Sequence, residues 1–181
     1  MTKKSPFIEE YILQKKADIA LRETWVNEIL FTWQWWVLVA LVLILWLIWW
    51  KIVDRKKIFE IMTYGFMVMV LSSLLDAIGV EYEFWEYHYQ LLPLLDVFMT
   101  YNIAVIPVTY MVIYQYFQTW KSFIICHTVL SAIFALIAEP LLVWLNYYQL
   151  LKWEYYYSFP IYLTMALILK FFVTILKRLQ S

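Results

Sequence analysis

Glycine, cysteine and charge are scarce in this chain of 181 residues, which has two glycines, one cysteine and only 15% charged residues. Two glycines cannot build a glycine-rich phosphate loop, and a lone Cys126 excludes a disulfide scaffold. The 14 basic residues are balanced by 14 acidic ones, so the basic surplus of a nucleic-acid-binding module is missing. The abundant residues are apolar, with 65% hydrophobic and 21% aromatic. Soluble domains are about 45–50% apolar, so this excess predicts an integral membrane protein.

The charged residues divide the chain into segments. Of the 28, ten fall in residues 1–28 and six in residues 51–60, which leaves twelve for the other 143 positions. The gaps between charges predict an all-α bundle of about five transmembrane helices, with spans at 29–50, 58–80, 91–117, 122–147 and 155–176. A transmembrane β-barrel would alternate apolar and polar residues, and unbroken runs such as LVLILWLIWW do not alternate.

The transmembrane domain is expected over residues 29–181, after an N-terminal tail at 1–28. The first apolar run follows a charged segment and has no small-residue cleavage site, so it is expected to remain as a span and not as a signal peptide. The tail has apolar residues at near-helical spacing: Ile8, Tyr11, Ile12, Ile19, Val26 and Ile29. This pattern predicts an amphipathic helix along the membrane interface, although an ordinary solvated extension of the first span fits it equally well.

Basic residues near the helix ends indicate an orientation. One side of the predicted bundle collects most of them: Lys51, Arg55, Lys56, Lys57, Lys121, Lys177 and Arg178. On the other side, Lys152 is the basic residue in the loops between spans. The positive-inside rule therefore favours an outside N-terminus and a cytoplasmic C-terminus in a plasma membrane. A reporter fused to each terminus tests this orientation, which a cytoplasmic N-terminus would contradict.

Three predicted spans contain a carboxylate: Asp76, Asp96 and Glu139. A charged group at the centre of a membrane helix costs roughly 2.5–3.5 kcal/mol on insertion scales, so each acid is a functional candidate. From their positions in the spans, all three lie roughly 6–12 Å below the same membrane surface. They are candidate acid/base residues, and the alternative is that they hold helices together by hydrogen bonds. Lys170, near the opposite surface, is predicted to anchor its helix by extending to the headgroups.

The helix faces around these acids are rich in small and polar residues, which favours close packing inside the bundle. Three stripes are predicted: Gly65, Met69, Ser72 and Asp76; Asp96, Thr100, Pro107, Tyr110 and Tyr114; and Thr128, Ala132, Ala135, Glu139 and Asn146. Pro107 has no N–H and should free a backbone carbonyl for a neighbouring donor.

Two loops on the same predicted surface, EYEFWEYHYQLLP and NYYQLLKWEYYYS, are dense in aromatic residues. An interfacial aromatic belt explains this composition. The alternative is a cavity for a cationic or amphipathic ligand, because aromatic faces stabilise positive charge. Its candidate ligand-binding residues are Trp85, Tyr87, His88, Asn102, Tyr114, Trp153 and Tyr157. No metal or other cofactor is predicted, since there is no HExxH motif and the two histidines, His88 and His127, fall in different segments.

Part of the chain, roughly residues 60–160, resembles a family of small multi-pass membrane proteins of spore-forming Gram-positive bacteria. The matching elements are W-x-Y at 85–87, Asp96, P-V-T at 107–109, Y-Q-Y at 114–116, Glu139, and the aromatic residues Tyr147, Trp153 and Tyr157. The resemblance implies a five-helix bundle in a bacterial membrane and implies no activity. A more distant architectural analogy is to small membrane-embedded terpenoid cyclases, in which inward carboxyl groups protonate a lipid.

These patterns lead to three functional hypotheses. The first is a lipid- or isoprenoid-binding protein or enzyme that uses the intramembrane acids under the aromatic loops, with membrane lipids or a lipophilic small molecule as partners. The second is a structural or interaction protein of the envelope or of sporulation. The third is a transporter component, which is disfavoured because the three acids occupy one half of the membrane and define no polar path across it.

Overall fold

The computed structural model describes residues 6–94 and 97–180, and it is 81% helical. In chain order the elements are α1 (Pro6–Thr24), a π-helical turn (Trp25–Ile29), α2 (Trp33–Ile52), a 3-10 turn (Arg55–Lys57), α3 (Ile58–Glu81), β1 (Trp85–Tyr87), a second π-helical turn (Tyr101–Val105), α4 (Ile106–Tyr116), α5 (Trp120–Ile133), a third π-helical turn (Phe134–Ala138), α6 (Glu139–Trp144), β2 (Tyr148–Leu150) and α7 (Tyr155–Gln180). The all-α fold expected from the sequence is confirmed.

Four helices within the described residues are long and apolar enough to cross a membrane: Trp33–Ile52, Arg55–Glu81, Trp120–Trp144 and Tyr155–Leu179. They correspond to the first, second, fourth and fifth predicted spans. Unbroken apolar runs of at least about 18 residues form helices in a bilayer because all the backbone hydrogen bonds are then internal. The chain therefore has the architecture of a helical multi-pass membrane protein.

The third predicted span, 91–117, differs from the structure. Residues 91–94 form bends and turns, and the regular α-helix α4 runs only from Ile106 to Tyr116, after the π-helical turn at Tyr101–Val105. The polar residues Asn102, Thr109 and Gln115 lower the hydropathy of this segment. These residues are tolerated because α4 lies among the other helices, with Tyr110 and Met111 completely buried.

Hydrogen bonds from side chains to backbone carbonyls join α4 and the turn before it to α2 on one side and to α7 on the other. Trp46 Nε1 donates to the Ile103 carbonyl at 3.0 Å, and Tyr110 Oη donates to the Tyr162 carbonyl at 2.8 Å. Ile103 lies four residues before Pro107, so its carbonyl is the one that an α-helix with proline at 107 cannot satisfy. The prediction that Pro107 frees a carbonyl for a neighbouring donor is thus confirmed, and the donor is on α2.

Lys170 on α7 has a different position from the expected anchor. Its side chain is 5% exposed, and Nζ donates to the carbonyls of Phe117 and Gln118 at 3.2 and 3.0 Å. The C-terminal carbonyls of a helix lack intrahelical donors and carry partial negative charge. Lys170 therefore bonds to the backbone just beyond the C-terminus of α4, and its ammonium does not extend freely to the headgroups.

The N-terminal tail forms α1, whose side chains are exposed from Phe7 to Ala20. Its apolar residues Ile8, Tyr11 and Ile19 are 50%, 64% and 49% exposed. The following π-helical turn is attached to the bundle, because Trp25 Nε1 donates to the Gln90 carbonyl at 3.0 Å. The placement of α1 along a membrane interface stays a prediction.

The two aromatic loops meet at one end of the bundle. Strands β1 and β2 pair antiparallel, with Trp85 opposite Leu150, Glu86 opposite Gln149 and Tyr87 opposite Tyr148. The helices that lead into the strands end in the same way, with Glu83 and Asn146 in the left-handed region at φ 55° and 61°. In each case two backbone N–H groups bond back to the helix, as in a Schellman motif: Glu83 to Val80 and Phe84 to Gly79, Asn146 to Val143 and Tyr147 to Leu142. These caps turn the two segments towards each other, so that β1 and β2 can pair although they are far apart in sequence. We call the two-stranded antiparallel ribbon that they form the hairpin.

Candidate functional site

The β1–β2 hairpin covers a cavity of about 190 Å³ between α3, α6 and α7. Strand β1 approaches α3 closely, and a Cβ at Gly79 would lie only 2.0 Å from Trp85 Cζ2. Glycine at this position therefore leaves room for the Trp85 indole to pack directly against the helix. The Trp85 and Trp153 rings meet edge to face at 5.2 Å, so aromatic groups from both loops form one wall.

Asp76 lies at the wall of this cavity and is 8% exposed. Its Oδ1 accepts from Trp85 Nε1 at 2.9 Å and Tyr87 Oη at 2.5 Å. Its Oδ2 accepts from the Phe98 backbone N–H at 2.7 Å and Asn102 Nδ2 at 2.5 Å. A carboxylate offers about four lone-pair positions, so these donors use all of them. Asp76 ties α3 to the hairpin and to the start of the α4 segment.

The Tyr87 hydroxyl in β1, which donates to Asp76, keeps its proton. Burial raises the pKa of the Tyr87 hydroxyl well above its ordinary value, and the Asp76 carboxylate raises it further. Tyr87 therefore stays a neutral donor to Asp76. Its ring also stacks on Phe98 at 5.1 Å, which holds the hydroxyl in position.

Glu139 is the second acid of the cavity and is 6% exposed. Oε2 accepts from Ser158 Oγ at 3.0 Å, and Oε1 accepts from Tyr162 Oη at 2.8 Å. Trp153 Nε1 in turn donates to Ser158 Oγ at 3.0 Å. The carboxyl group of Glu139 is thus held by hydroxyl groups of α7, in a chain that leads to an indole in the aromatic wall.

A third hydroxyl lies close to Glu139 in strand β2. Burial raises the pKa of Tyr148, and the negative charge of Glu139 raises it further. The Tyr148 hydroxyl therefore stays protonated next to the acid. The hairpin and α7 together surround Glu139 with neutral hydroxyl groups.

Local helix geometry explains why Glu139 faces inwards. The buried face of α5 follows Phe123, His127, Ser131 and Ala135 in steps of four residues, which rotate steadily around a regular α-helix. The π-helical turn at Phe134–Ala138 contains one extra residue per turn and compensates for this rotation. Glu139, immediately after it, stays on the buried side. The predicted stripe through Thr128 and Ala132 is therefore displaced by one residue from the observed buried face.

The rest of the cavity is mostly apolar. Its further lining residues are Ser72, Leu75, Ile78, Phe84, Tyr101, Ile106, Leu142, Leu150, Ile161 and Met165. Asp76 and Glu139 are the two carboxylic acids among the described residues that line it. The arrangement can hold an apolar group against the aromatic wall and form hydrogen bonds with a polar group of the same ligand.

Several residues predicted for the site lie around this cavity, namely Asp76, Trp85, Tyr87, Asn102, Glu139 and Trp153. The prediction for Asp96 lies outside the described residues. Tyr157 is 44% exposed and reaches the site only by packing its ring 5.3 Å from that of Trp153. His88, just beyond β1, does not line the cavity, and its Nδ1 lies 3.1 Å from the Asn146 carbonyl.

Tyr114 is at the opposite end of the bundle, where its hydroxyl donates to Glu60 Oε1 at 2.5 Å. It is twelve residues beyond Asn102, a rise of roughly 18 Å along a helix. The predicted inward-facing side of α4 is confirmed for Tyr110 and Tyr114, which are both buried. Depth along the helix separates Tyr114 from the site.

Three partners of Glu139 are not singled out by the sequence pattern: Ser158, Tyr162 and Tyr148. Ser158 and Tyr162 are four residues apart, so they share one face of a helix. That spacing, in an otherwise apolar segment, is the signal that points to them. Tyr148 carries no comparable signal, since it is one of many tyrosines in its loop and only the strand pairing selects it.

An exposed ion pair joins the segment before β1 to the segment after β2, with Lys152 Nζ 2.6 Å from Glu83 Oε2. The hydrogen bond and the positive charge of Lys152 lower the pKa of Glu83. Both side chains are more than half exposed, so solvent screens the pair and it adds little to stability. No group of three or more His, Cys, Asp or Glu side chains that could hold a metal ion is found in residues 6–94 and 97–180.

Comparison with protein-family models, with curated proteins and with solved structures finds no match to this chain. The resemblance to the small membrane proteins of spore-forming bacteria therefore stays a prediction. The cavity under the hairpin, with its two acids and its aromatic wall, is the candidate functional site.

Proposed function

We propose that this protein binds a lipid or isoprenoid ligand in the cavity under the hairpin, with Glu139 as its polar contact. The observation that carries the proposal is a buried carboxyl group facing a mostly apolar cavity. Burying an acid among apolar groups is expensive. Four donors saturate Asp76, whereas Glu139 bonds to hydroxyl groups that can also act as acceptors.

The size of the cavity supports an apolar group of limited bulk. Its volume of about 190 Å³ exceeds the roughly 150 Å³ of an engineered apolar cavity that admits benzene. One or two isoprene units, or the end of an acyl chain, fit such a space. The aromatic wall then contacts the chain, and a hydroxyl or amine of the ligand reaches Glu139.

The chemistry of Glu139 suits such a ligand in either protonation state. An ionised carboxylate accepts a hydrogen bond or pairs with a cation, and a protonated one donates. Proton donation to an unsaturated chain would extend binding to catalysis, with Trp85 and Trp153 next to the developing positive charge. We propose binding as the primary function, and proton donation would follow only if the bound ligand is unsaturated.

We place the hairpin at the outer surface of a plasma membrane, as the positive-inside rule favours. The basic loops, with Lys51, Arg55, Lys56 and Lys57, are then at the cytoplasmic ends of α2 and α3. In this orientation the ligand enters the cavity from the outer leaflet.

A structural role is the second candidate, and the bonding of Asp76 favours it. Four donors from two other segments of the chain make this acid a connector of the fold. The two candidates are compatible within one site, with Asp76 organising the cavity and Glu139 contacting the ligand. Transport has less support, because Asp76 and Glu139 line the same cavity at one end of the bundle.

The test compares Glu139→Gln with Glu154→Gln, an exposed acid just before α7 that does not line the cavity. Each protein is extracted into polymer-bounded nanodiscs, and the lipids that copurify are measured by mass spectrometry relative to bulk membrane. We expect one apolar compound to be enriched with wild type and Glu154→Gln, and its retention to fall about tenfold or more with Glu139→Gln, since a hydrogen bond to a charged group contributes about 1.5–3 kcal/mol.

Thermal unfolding of both variants checks that the fold is retained. Equal enrichment with Glu139→Gln would contradict the proposal. Catalysis is tested by comparing the lipid profiles of whole membranes that contain wild type or Glu139→Gln. A substrate–product pair that changes with wild type and not with Glu139→Gln indicates an enzyme, and unchanged profiles indicate binding without turnover.

A further inference from the structure

A second cleft lies at the other end of the bundle, where α3 and α5 begin and α4 and α7 end. Its volume is about 390 Å³, and it is lined by four basic side chains: Lys57, Lys170, Lys177 and Arg178. Glu60 is the one carboxylic acid among its lining residues. In a chain with a net charge of zero, this is a marked local excess of positive charge.

The single acid is already engaged. Glu60 Oε1 accepts from Tyr114 Oη at 2.5 Å and from Lys177 Nζ at 2.9 Å. The bond to Lys177 pairs this carboxylate with one of the four basic side chains. With four basic side chains and one carboxylate, the lining of the cleft carries an excess of positive charge.

Lys170 forms the inner wall of the cleft. Its Nζ lies 3.9 Å from the centre of the Phe123 ring and 5.3 Å from that of Trp120, and it bonds to two carbonyls at the end of α4. An ammonium group has three donors, so two are used by these carbonyls. The geometry holds a fixed cation below a rim of more exposed ones.

The starts of two helices add to the positive field. Lys57 directly precedes α3, and Trp120 is the first residue of α5. Helix N-termini carry partial positive charge and free N–H groups. The cleft therefore combines cationic side chains, helix N-termini and a position at the membrane end of the bundle.

We propose that this cleft binds a phosphate group. Phosphate oxygens accept several hydrogen bonds at once and pair well with lysine and arginine. Two sources share this chemistry, the headgroup of an anionic phospholipid and soluble inorganic phosphate. Basic clefts between membrane helices on the cytoplasmic side bind anionic headgroups in general, and this cleft is at the end that the basic loops assign to the cytoplasm. This proposal does not depend on which ligand binds in the cavity under the hairpin.

The experiment uses the full chain purified in a neutral detergent. Binding of short-chain phosphatidylglycerol, short-chain phosphatidylcholine and inorganic phosphate is measured by native mass spectrometry and by the shift in unfolding temperature. The cleft variant is Lys57→Gln/Arg178→Gln. The matched control is Lys51→Gln/Lys121→Gln, which removes the same charge from exposed residues at the same end that do not line the cleft.

Wild type and the control should bind phosphatidylglycerol at least about tenfold more tightly than the cleft variant does, since each basic residue near an anionic headgroup adds to the affinity. Phosphatidylcholine should show no such difference. If phosphatidylglycerol binds and inorganic phosphate does not, the ligand is a lipid headgroup. If inorganic phosphate alone gives the same difference between variants, the ligand is a soluble phosphate.

Equal losses in the two double variants would overturn the proposal, because they would show a general effect of surface charge. Equal binding of phosphatidylglycerol and phosphatidylcholine by wild type, without phosphate binding, would overturn it as well. Should the cleft double variant fail to fold, Lys57→Gln alone is compared with Lys121→Gln by the same criteria.

Discussion

Asp76 and Glu139 line the same cavity, but their hydrogen-bond partners differ. Asp76 accepts from an indole, a phenol, an amide side chain and a backbone N–H. Glu139 accepts from hydroxyl groups, which can reverse their direction and act as acceptors. A fixed set of donors suits an acid with a structural role. A set of hydroxyl groups suits an acid that changes its protonation state or its hydrogen-bond partner.

Replacement of Asp76 by asparagine should destabilise the protein. The new amide group is the same size, but its N–H₂ faces donors that previously bonded the carboxylate. Leaving buried polar groups unpaired costs about 1–3 kcal/mol, so we expect Asp76→Asn to lower the free energy of unfolding by that amount. Chemical unfolding in bicelles measures it, with Glu81→Gln, an exposed acid on the same helix, as the control that should change by less than about 0.5 kcal/mol. Equal stability of Asp76→Asn and wild type would refute the connecting role.

The sequence predicts the acids of the site better than their partners. Asp76 and Glu139 stand out because charge is rare in apolar spans, and Trp85, Tyr87 and Trp153 stand out by their density in two loops. Tyr148 and Tyr162 do not, because aromatic residues are common throughout this chain. What selects these two is the strand register and the approach of α7, and both depend on tertiary contacts.

Among the elements, the helices are predictable and the segment before α4 is not. Hydropathy over about 20 residues is a strong signal for a helix exposed to lipid. It is a weak signal for α4, because a helix surrounded by protein tolerates polar residues that bond to its neighbours. The π-helical turns are also not predictable from the sequence pattern, although two of them lie just before Pro107 and Pro140.

The pairing of β1 with β2 joins the two loops, and its register can be tested by a disulfide. Directly opposite residues in antiparallel strands have Cα atoms about 4.5–5.5 Å apart, within the roughly 4.4–6.8 Å that a disulfide spans. In a Cys126→Ala background, Glu86→Cys/Gln149→Cys should therefore form a crosslink under mild oxidation, because Glu86 pairs with Gln149. Mass spectrometry of the digested protein detects the linked peptides.

The control for this crosslink is Glu86→Cys/Glu154→Cys. Glu154 is exposed and five residues beyond Gln149, outside strand β2, so it should react much more slowly. Crosslinking at the same rate in both pairs would mean that the hairpin does not hold this register.

On the scale of the whole molecule, the two ends of the bundle have opposite chemistry. The hairpin end has two buried acids under aromatic rings, and the other end has a basic cleft. A composition with zero net charge hides this separation, since the 14 basic and 14 acidic residues cancel only in the sum. The bundle therefore presents an apolar cavity with two acids at one end and a positively charged cleft at the other.

The most direct test of a ligand in the cavity is to fill the cavity without changing its polar groups. Ile161 on α7 lines the cavity and is 37% exposed, whereas Ile168 on the same helix is 45% exposed and does not line it. Lipids that copurify in nanodiscs are measured for Ile161→Trp and Ile168→Trp. We predict that Ile161→Trp loses the apolar compound enriched by wild type while Ile168→Trp retains it. Equal retention by the two variants would contradict a ligand in the cavity.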